Sequence, residues 1–250
     1  MYHDLLGLDH DTKASGPDVY SVTLEDFHEH LESIDRSVAS PPQRGDSLSD
    51  VATPWMLTFD DGGVSGLAAG QELARRGWPG HFFIVTDVVG HPGYMDWDQI
   101  RALAKMGHVI GSHSCSHPDR MAACTYAQLL DEWSRSAAVL EEELGRQVPT
   151  ASVPGGLYSK AVGRAAAAAG YRTLFTSLPS QKVGSIDGCM LIGRFGIRRD
   201  TTATLAAAAA AGRPVPWIRQ RAAWTLRGAA KALTGRHYDT MRRAVLWHRG

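Results

Sequence analysis

Trp55-Met56-Leu57-Thr58-Phe59-Asp60-Asp61-Gly62-Gly63 is an apolar run that ends in two acids and two glycines. A helical pattern from Val64 to Arg76 follows it and stops at Gly77. The same alternation continues downstream. Short apolar runs at His81–Val85, His108–Gly111, Thr150–Val153, Tyr171–Thr176 and Met190–Ile197 are separated by helical patterns at Trp97–Met106, Tyr126–Leu144, Ser159–Ala169 and Thr201–Ala211. Gly77, Gly107, Gly145, Gly170 and Gly212 each stand just past a helix, where a left-handed residue closes the last turn. Alternation of this kind predicts a parallel α/β sheet or barrel, and 250 residues is a common length for a (β/α) barrel.

Upstream, Asp18–Val22 reads as a short strand, and Thr23 caps a helix that carries Phe27, Leu31 and Ile34 on one face. The stretch Ser40-Pro41-Pro42-Gln43-Arg44-Gly45 reads as a loop.

At 44% hydrophobic and 21% charged residues, the chain is not a disordered one. No apolar run reaches the roughly 20 residues of a spanning helix. The start of the chain has neither the basic nor the apolar region of a signal peptide, and Cys115, Cys124 and Cys189 do not make a disulfide framework. Both features lead us to expect a cytoplasmic protein. The net charge is zero but unevenly placed. Residues 213–250 carry nine Lys/Arg and one acid, net +8, whereas the first 212 residues carry 17 basic and 25 acidic groups, net −8.

Parallel α/β folds gather functional groups at strand C-termini, and three strand ends here carry chemistry. Asp60-Asp61-Gly62 offers two carboxylates, although Asp and Gly also make ordinary turns. His113 and His117 stand four apart in Gly111-Ser112-His113-Ser114-Cys115-Ser116-His117-Pro118, and a helical turn there would aim both imidazoles at one cation. The other reading of this pair is a capping His and an exposed one. In Val153-Pro154-Gly155-Gly156-Leu157-Tyr158 the glycines would let backbone N–H groups approach a ligand, or simply make a strand-to-helix turn.

Thr58-Phe59-Asp60-Asp61-Gly62 followed by His113-Ser114-Cys115-Ser116-His117 resembles the NodB-type polysaccharide deacetylases, carbohydrate esterase family 4. Met95-Asp96-Trp97-Asp98 through Gly107-His108-Val109-Ile110-Gly111 adds to the likeness, which runs from about Trp55 to Arg199. The resemblance implies a distorted (β/α) barrel of about seven parallel strands. It also implies removal of acetyl groups from amino sugars with a divalent metal. Asp61, His113 and His117 would be the metal ligands and Asp60 the general base. Zn²⁺ is the metal expected, with Co²⁺, Ni²⁺ or Mn²⁺ as alternatives.

Three family features are missing. The usual arginine two residues before the proline is Ser152, and Gly155-Gly156 stand where an aromatic is expected. The Asp-Trp pair of the fourth motif is absent, with only Asp187 between Thr173 and Gly188. No His lies between His117 and His237 to serve as general acid, and the corresponding strand reads Leu191-Ile192-Gly193-Arg194-Phe195. A replacement acid must come from elsewhere. We expect His3, at the end of a first barrel strand, with His10 as the second candidate. Pro154, Gly155, Gly156, Tyr158 and Arg194 are the expected substrate-binding residues, Arg194 by facing an anionic substrate or else by making a surface ion pair.

The chain thus divides into a barrel, 1–212, and a basic helical tail, 213–250. In the tail helix, Ile218, Ala222, Leu226, Ala229 and Leu233 form a stripe expected to pack on the barrel. Trp217, Arg221, Trp224, Arg227 and Lys231 form the face expected to meet anionic lipid. A solvated basic face is the alternative, and no nucleic-acid partner is expected. The function expected is hydrolysis of the N-acetyl group of a sugar nucleotide, lipid-linked sugar or small glycoside, at the inner membrane face. The alternatives are a non-catalytic, metal-containing saccharide-binding module and a hydrolase of a non-sugar amide.

Overall fold

The computed structural model describes residues 1–7, 18–47 and 55–234; His10 and the tail beyond residue 234 lie outside them. The fold is α/β, built on a curled sheet of mostly parallel strands. In chain order the strands are β1 Leu5–Leu6, β2 Val22–Thr23, β3 Leu57–Phe59, β4 Gly80–Ile84, β5 Val109–Ser112, β6 Thr150–Ser152, β7 Thr173–Phe175, β8 Gly184–Ile186 and β9 Cys189–Ile192. The helices are α1 Leu24–Asp35, α2 Ser65–Arg75, α3 Trp97–Lys105, α4 Tyr126–Leu144, α5 Lys160–Ala168, α6 Ala203–Ala210 and α7 Pro214–Thr234.

The main sheet has seven strands in the order β3-β4-β5-β6-β7-β9-β8. All neighbours run parallel except β8, which folds back antiparallel on β9 at the edge. This hairpin replaces the seventh parallel strand of the expected barrel. Its turn is Asp187-Gly188, both at positive φ (46° and 80°), the requirement of a tight two-residue hairpin. The open side of the sheet is bridged by the first two residues. Tyr2 donates its N–H to Thr58 O (2.8 Å) and accepts from Asp60 N (3.1 Å). Met1 N donates to Phe195 O (2.9 Å), and Ile197 N donates to Met1 O (2.9 Å).

The helix ends follow the side chains. Thr23, Ser159 and Thr202 accept hydrogen bonds from the first turns of α1, α5 and α6. Asp96 with Gln99, and Thr125 with Gln128, close reciprocal caps on α3 and α4. The five expected terminal glycines all have φ between 64° and 97°. The expected strand at 18–22 is a 3₁₀ turn, Asp18–Tyr20, followed by β2, which pairs with β1 rather than with the main sheet.

The 40–45 loop does more than connect. Gly45 enters the base of the barrel, where a Cβ would lie 2.9 Å from the Phe175 ring, so only glycine fits without movement. Gly45 N donates to His81 Nε2 (2.7 Å), and Thr173 Oγ1 donates to Gly45 O (2.9 Å). His81 Nδ1 binds Leu57 O (3.0 Å), so the ring is neutral with both nitrogens satisfied.

Burial lowers the His81 pKa from 6.5 to about 4, against the upward pull of its bond to Leu57 O. The unfolded chain therefore binds this proton more readily than the folded one. The stabilisation is present above pH 6.5 and fades as pH falls to about 4, by about 3 kcal/mol in total at ~1.4 kcal/mol per unit. Urea unfolding of wild type and His81→Gln should show a stability gap at pH 7 that narrows by that order at pH 4. A gap independent of pH would mean that folding leaves the proton affinity of His81 unchanged.

Candidate active site

The sheet register places the ends of β3, β5, β6 and the segment after β9 at one end of the barrel. There they line a cavity of about 300 Å³ whose walls include His3, Asp60, Asp61, His113, His117, Gly155, Gly156 and Trp224.

Asp61 leaves β3 in a left-handed conformation (φ 73°), which turns its carboxylate into the cavity. His113 follows β5 directly, anchored by its N–H to Ile84 O (2.8 Å). The histidines are not on a helical turn, contrary to expectation. Ser114 and His117 both have positive φ (66° and 55°), and this irregular turn brings the rings to 5.1 Å between centroids. Glu132 of α4 holds the turn from below, accepting from Cys115 N (3.0 Å), Ser116 N (2.9 Å) and Ser116 Oγ (2.6 Å). Of the four non-glycine residues at positive φ among those described, three lie here. Backbone strain of this kind persists only where surrounding structure imposes it, and it concentrates at functional sites.

One ligand atom from each of Asp61, His113 and His117 lies within 4.8 Å of the others. His113 Nε2 and His117 Nε2 approach Asp61 Oδ1 at 3.2 and 3.6 Å. His113 Nδ1 lies 2.9 Å from Ser152 O, a group that only accepts. The ring proton therefore sits on Nδ1, and the Nε2 lone pair faces Asp61. Burial disfavours charge on His113, but Asp60 and Asp61 outweigh it and raise its pKa. That negative field suits a divalent cation as well as a proton. The donor set, two imidazoles and a carboxylate on one side of a cavity, fits a catalytic metal with open positions.

Asp60 stands behind this trio and is 4% exposed. Its Oδ1 and Oδ2 accept from Arg194 Nη1 (2.6 Å) and Nη2 (2.8 Å). Burial opposes ionisation of Asp60, yet the Arg194 guanidinium, helped by His113, holds its carboxyl far below the usual range.

Arg194 was expected to face an anionic substrate or to pair at the surface, and it does neither. It is 4% exposed, and all five of its N–H donors are engaged: Nε with Thr176 O, Nη1 with Thr58 Oγ1 and Asp60, Nη2 with Asp60 and Ser152 Oγ. No donor is left for a substrate. Ser152, where the family pattern has arginine, is small enough to admit this side chain from the β9 end and accepts from it at 2.7 Å.

Gly155 and Gly156 line the cavity, both at positive φ (60° and 70°), and a Cβ on Gly156 would meet Ser177 at 2.7 Å. Pro154 is buried in the same turn and is not part of the wall. Tyr158, also expected at the substrate, points elsewhere. It packs on the core between α4, α5 and β9, with its hydroxyl against Gly163. His3 does line the cavity, its ring tilted against Tyr20 at 4.8 Å between centroids, with Nδ1 buried and without a hydrogen-bond partner. Burial lowers its pKa, and Asp61 and Asp60 pull it back up.

A curled (β/α) sheet with a carboxylate and two histidines converging at its strand ends, and a second carboxylate behind them, has the build of a deacetylase barrel. The chain belongs to the polysaccharide deacetylase family, whose model matches residues 50–174. Over 125 residues, half of this chain, it is 26% identical to YxkH of Bacillus subtilis (strain 168). It spans less than half the length of the curated relatives it matches. Among solved structures it resembles BC0361, a polysaccharide deacetylase from Bacillus cereus, with TM-score 0.70 and 20% identity over 84% of this chain and 67% of that one. It also resembles IcaB from Ammonifex degensii, with TM-score 0.67 and 23% identity over 84% of this chain and 94% of that one. These two likenesses are of fold.

Proposed function

We propose that the chain is a metal-dependent deacetylase that removes the N-acetyl group of an amino sugar on a glycan or glycan precursor. The observation that carries this reading is the convergence of Asp61, His113 and His117 beside a separate carboxylate, Asp60, that is held ionised by Arg194. Asp61, His113 and His117 would hold the ion, and Zn²⁺ suits this donor set best. When bound, the ion supplies Lewis acidity, acidifying water and polarising an acyl oxygen.

The chain's own residues do the rest. Asp60 takes the proton of the attacking water. Its oxygens keep lone pairs for this while accepting from Arg194. Backbone N–H groups at Gly155 and Gly156 support the oxygen that gains charge as the tetrahedral carbon forms. The water oxygen ends on the acyl carbon, the C–N bond breaks, and the amine leaves with a proton while acetate remains.

His3 is our candidate donor of that proton, because among the described residues it is the one histidine besides His113 and His117 in the cavity wall. His3→Ala should lower turnover by about 10²–10⁴-fold with metal content unchanged. Unchanged turnover and an unchanged pH–rate profile would leave donation to protonated Asp60 or to solvent.

The metal assignment is tested by stripping the protein with chelator, reloading with Zn²⁺ and measuring bound metal. Wild type should hold one ion per chain. His117→Ala, altering a half-exposed side chain outside the core, should fold normally and bind at least tenfold more weakly. Equal binding would remove the trio as the site.

A further inference from the structure

Helix α7 is mounted the opposite way round from its sequence expectation. Trp217 packs edge-on against Phe195 at 5.8 Å and donates Nε1–H to Ala209 O at 3.1 Å. Gln220 exchanges two 2.8 Å hydrogen bonds with the backbone of Gly196. Trp224 reaches the wall of the active-site cavity. Positions 217, 220 and 224 share one helix face, so this face is committed to the body. The described part of the stripe expected to pack on the barrel, Ile218, Ala222 and Leu226, is therefore turned outward. Val215, Ile218 and Leu226 are 56%, 65% and 72% exposed, with Ala222 exposed between them. On the helical wheel Arg219 and Arg221, both exposed, flank this stripe on its two sides.

A surface helix of a soluble protein normally buries its apolar stripe and wets its polar one. Here Trp and Gln hold the body while Val, Ile and Leu face outward between two cations. We propose that this face of α7 lies on an anionic lipid bilayer. Charge decides between a bilayer and a second copy of the chain. The α7 segment carries Arg219, Arg221, Arg227 and Lys231 and no acid, so two copies meeting through α7 would bring like charges together, whereas anionic head groups neutralise them. Among the described residues no helix is long and apolar enough to cross a membrane, so α7 would lie in the interface. The inner face of α7 walls the catalytic cavity, so docking its outer face would hold that cavity about one helix diameter, ~10 Å, from the head groups. Resting on the deacetylase reading above, this favours an acetylated amino sugar tethered to the membrane over a free one.

The test is co-sedimentation of the full chain with vesicles of phosphatidylcholine alone or with about one third phosphatidylglycerol, which gives the surface a negative potential. Wild type should bind the anionic vesicles, release as salt rises, and ignore the neutral ones. The double variant Ile218→Gln/Leu226→Gln keeps helix-forming residues and should lose binding at least tenfold. Acetate release from a soluble N-acetylated amino sugar, measured in parallel, should be unchanged in this variant. That readout separates failure of docking from failure of the deacetylase reading. Equal sedimentation with both lipids, or undiminished binding by the variant, would overturn the proposal. So would a concentration-dependent dimer that the variant abolishes without vesicle binding, because a second copy would then cover the face.

Discussion

Asp60→Asn should lower turnover by about 10²–10⁴-fold with metal binding retained, because the role proposed for Asp60 is that of base and not of ligand. The candidate ligand atoms belong to Asp61, His113 and His117, and Asp60 Oδ2 stays 4.0 Å from His113 Nε2. An amide at position 60 cannot take a proton from water at neutral pH. The substitution also leaves the Arg194 guanidinium buried without its counter-charge, a loss of about 3–5 kcal/mol in comparable buried pairs. The measurement is therefore turnover together with bound metal and denaturant midpoint, so that loss of chemistry is read on folded, metal-loaded protein. Near-normal turnover would place the base elsewhere.

Arg194→Met should be the most destabilising single change at the site. It leaves the buried Asp60 carboxylate without its counter-charge and also leaves Ser152 and Thr176 O without their donor. A loss of about 3–5 kcal/mol is expected, and Arg194→Lys should recover only part of it. An ammonium cannot reproduce the two parallel bonds to Asp60 and the contacts to Thr58 and Ser152 at once. The two predictions interlock. The double variant Asp60→Asn/Arg194→Met should cost less than the sum of the single variants, because each single change leaves a buried charge unpaired and the double change leaves no such charge. Additive losses in urea unfolding would show that the pair is not energetically coupled.

The barrel could be read from sequence because its signals are local. The stops of α2 to α6 are each marked by a glycine, the caps of α1 and of α3 to α6 each by a Ser, Thr or Asp, and the Asp60-Asp61 and His113/His117 strand ends stand out within a few residues. What escaped the reading is what depends on distant residues meeting. Ser152 reads as the loss of an arginine and Arg194 as an isolated charge; only the β6 and β9 ends brought together put Arg194 on Ser152 and Asp60. The helical wheel gave the correct apolar stripe of α7 but the wrong side for it. The face that packs on the body was decided by Phe195, Gly196 and Ala209, none of which lies on the helix. Tyr158 was misplaced because its neighbour in the fold, Gly163, invites an aromatic ring that the adjacent glycine turn seemed to direct at substrate. The Asp187-Gly188 hairpin is different. Its local signal was present in the sequence, but Gly184–Ile186 is polar and exposed on one side and lacks the apolar run by which the other strands were recognised.

The central claim is that this barrel end performs metal-assisted hydrolysis of an N-acetyl group. The direct measurement is acetate released by purified, Zn²⁺-loaded protein from N-acetylated amino-sugar substrates, free, oligomeric and lipid-linked. It is repeated after chelation, after return of the metal, and with Asp60→Asn. The account predicts acetate from at least one of these substrates, lost on chelation, restored by the metal and nearly absent in the variant. Fully metal-loaded, folded protein that releases no acetate from any of them, or releases it equally after the metal is removed, would contradict it.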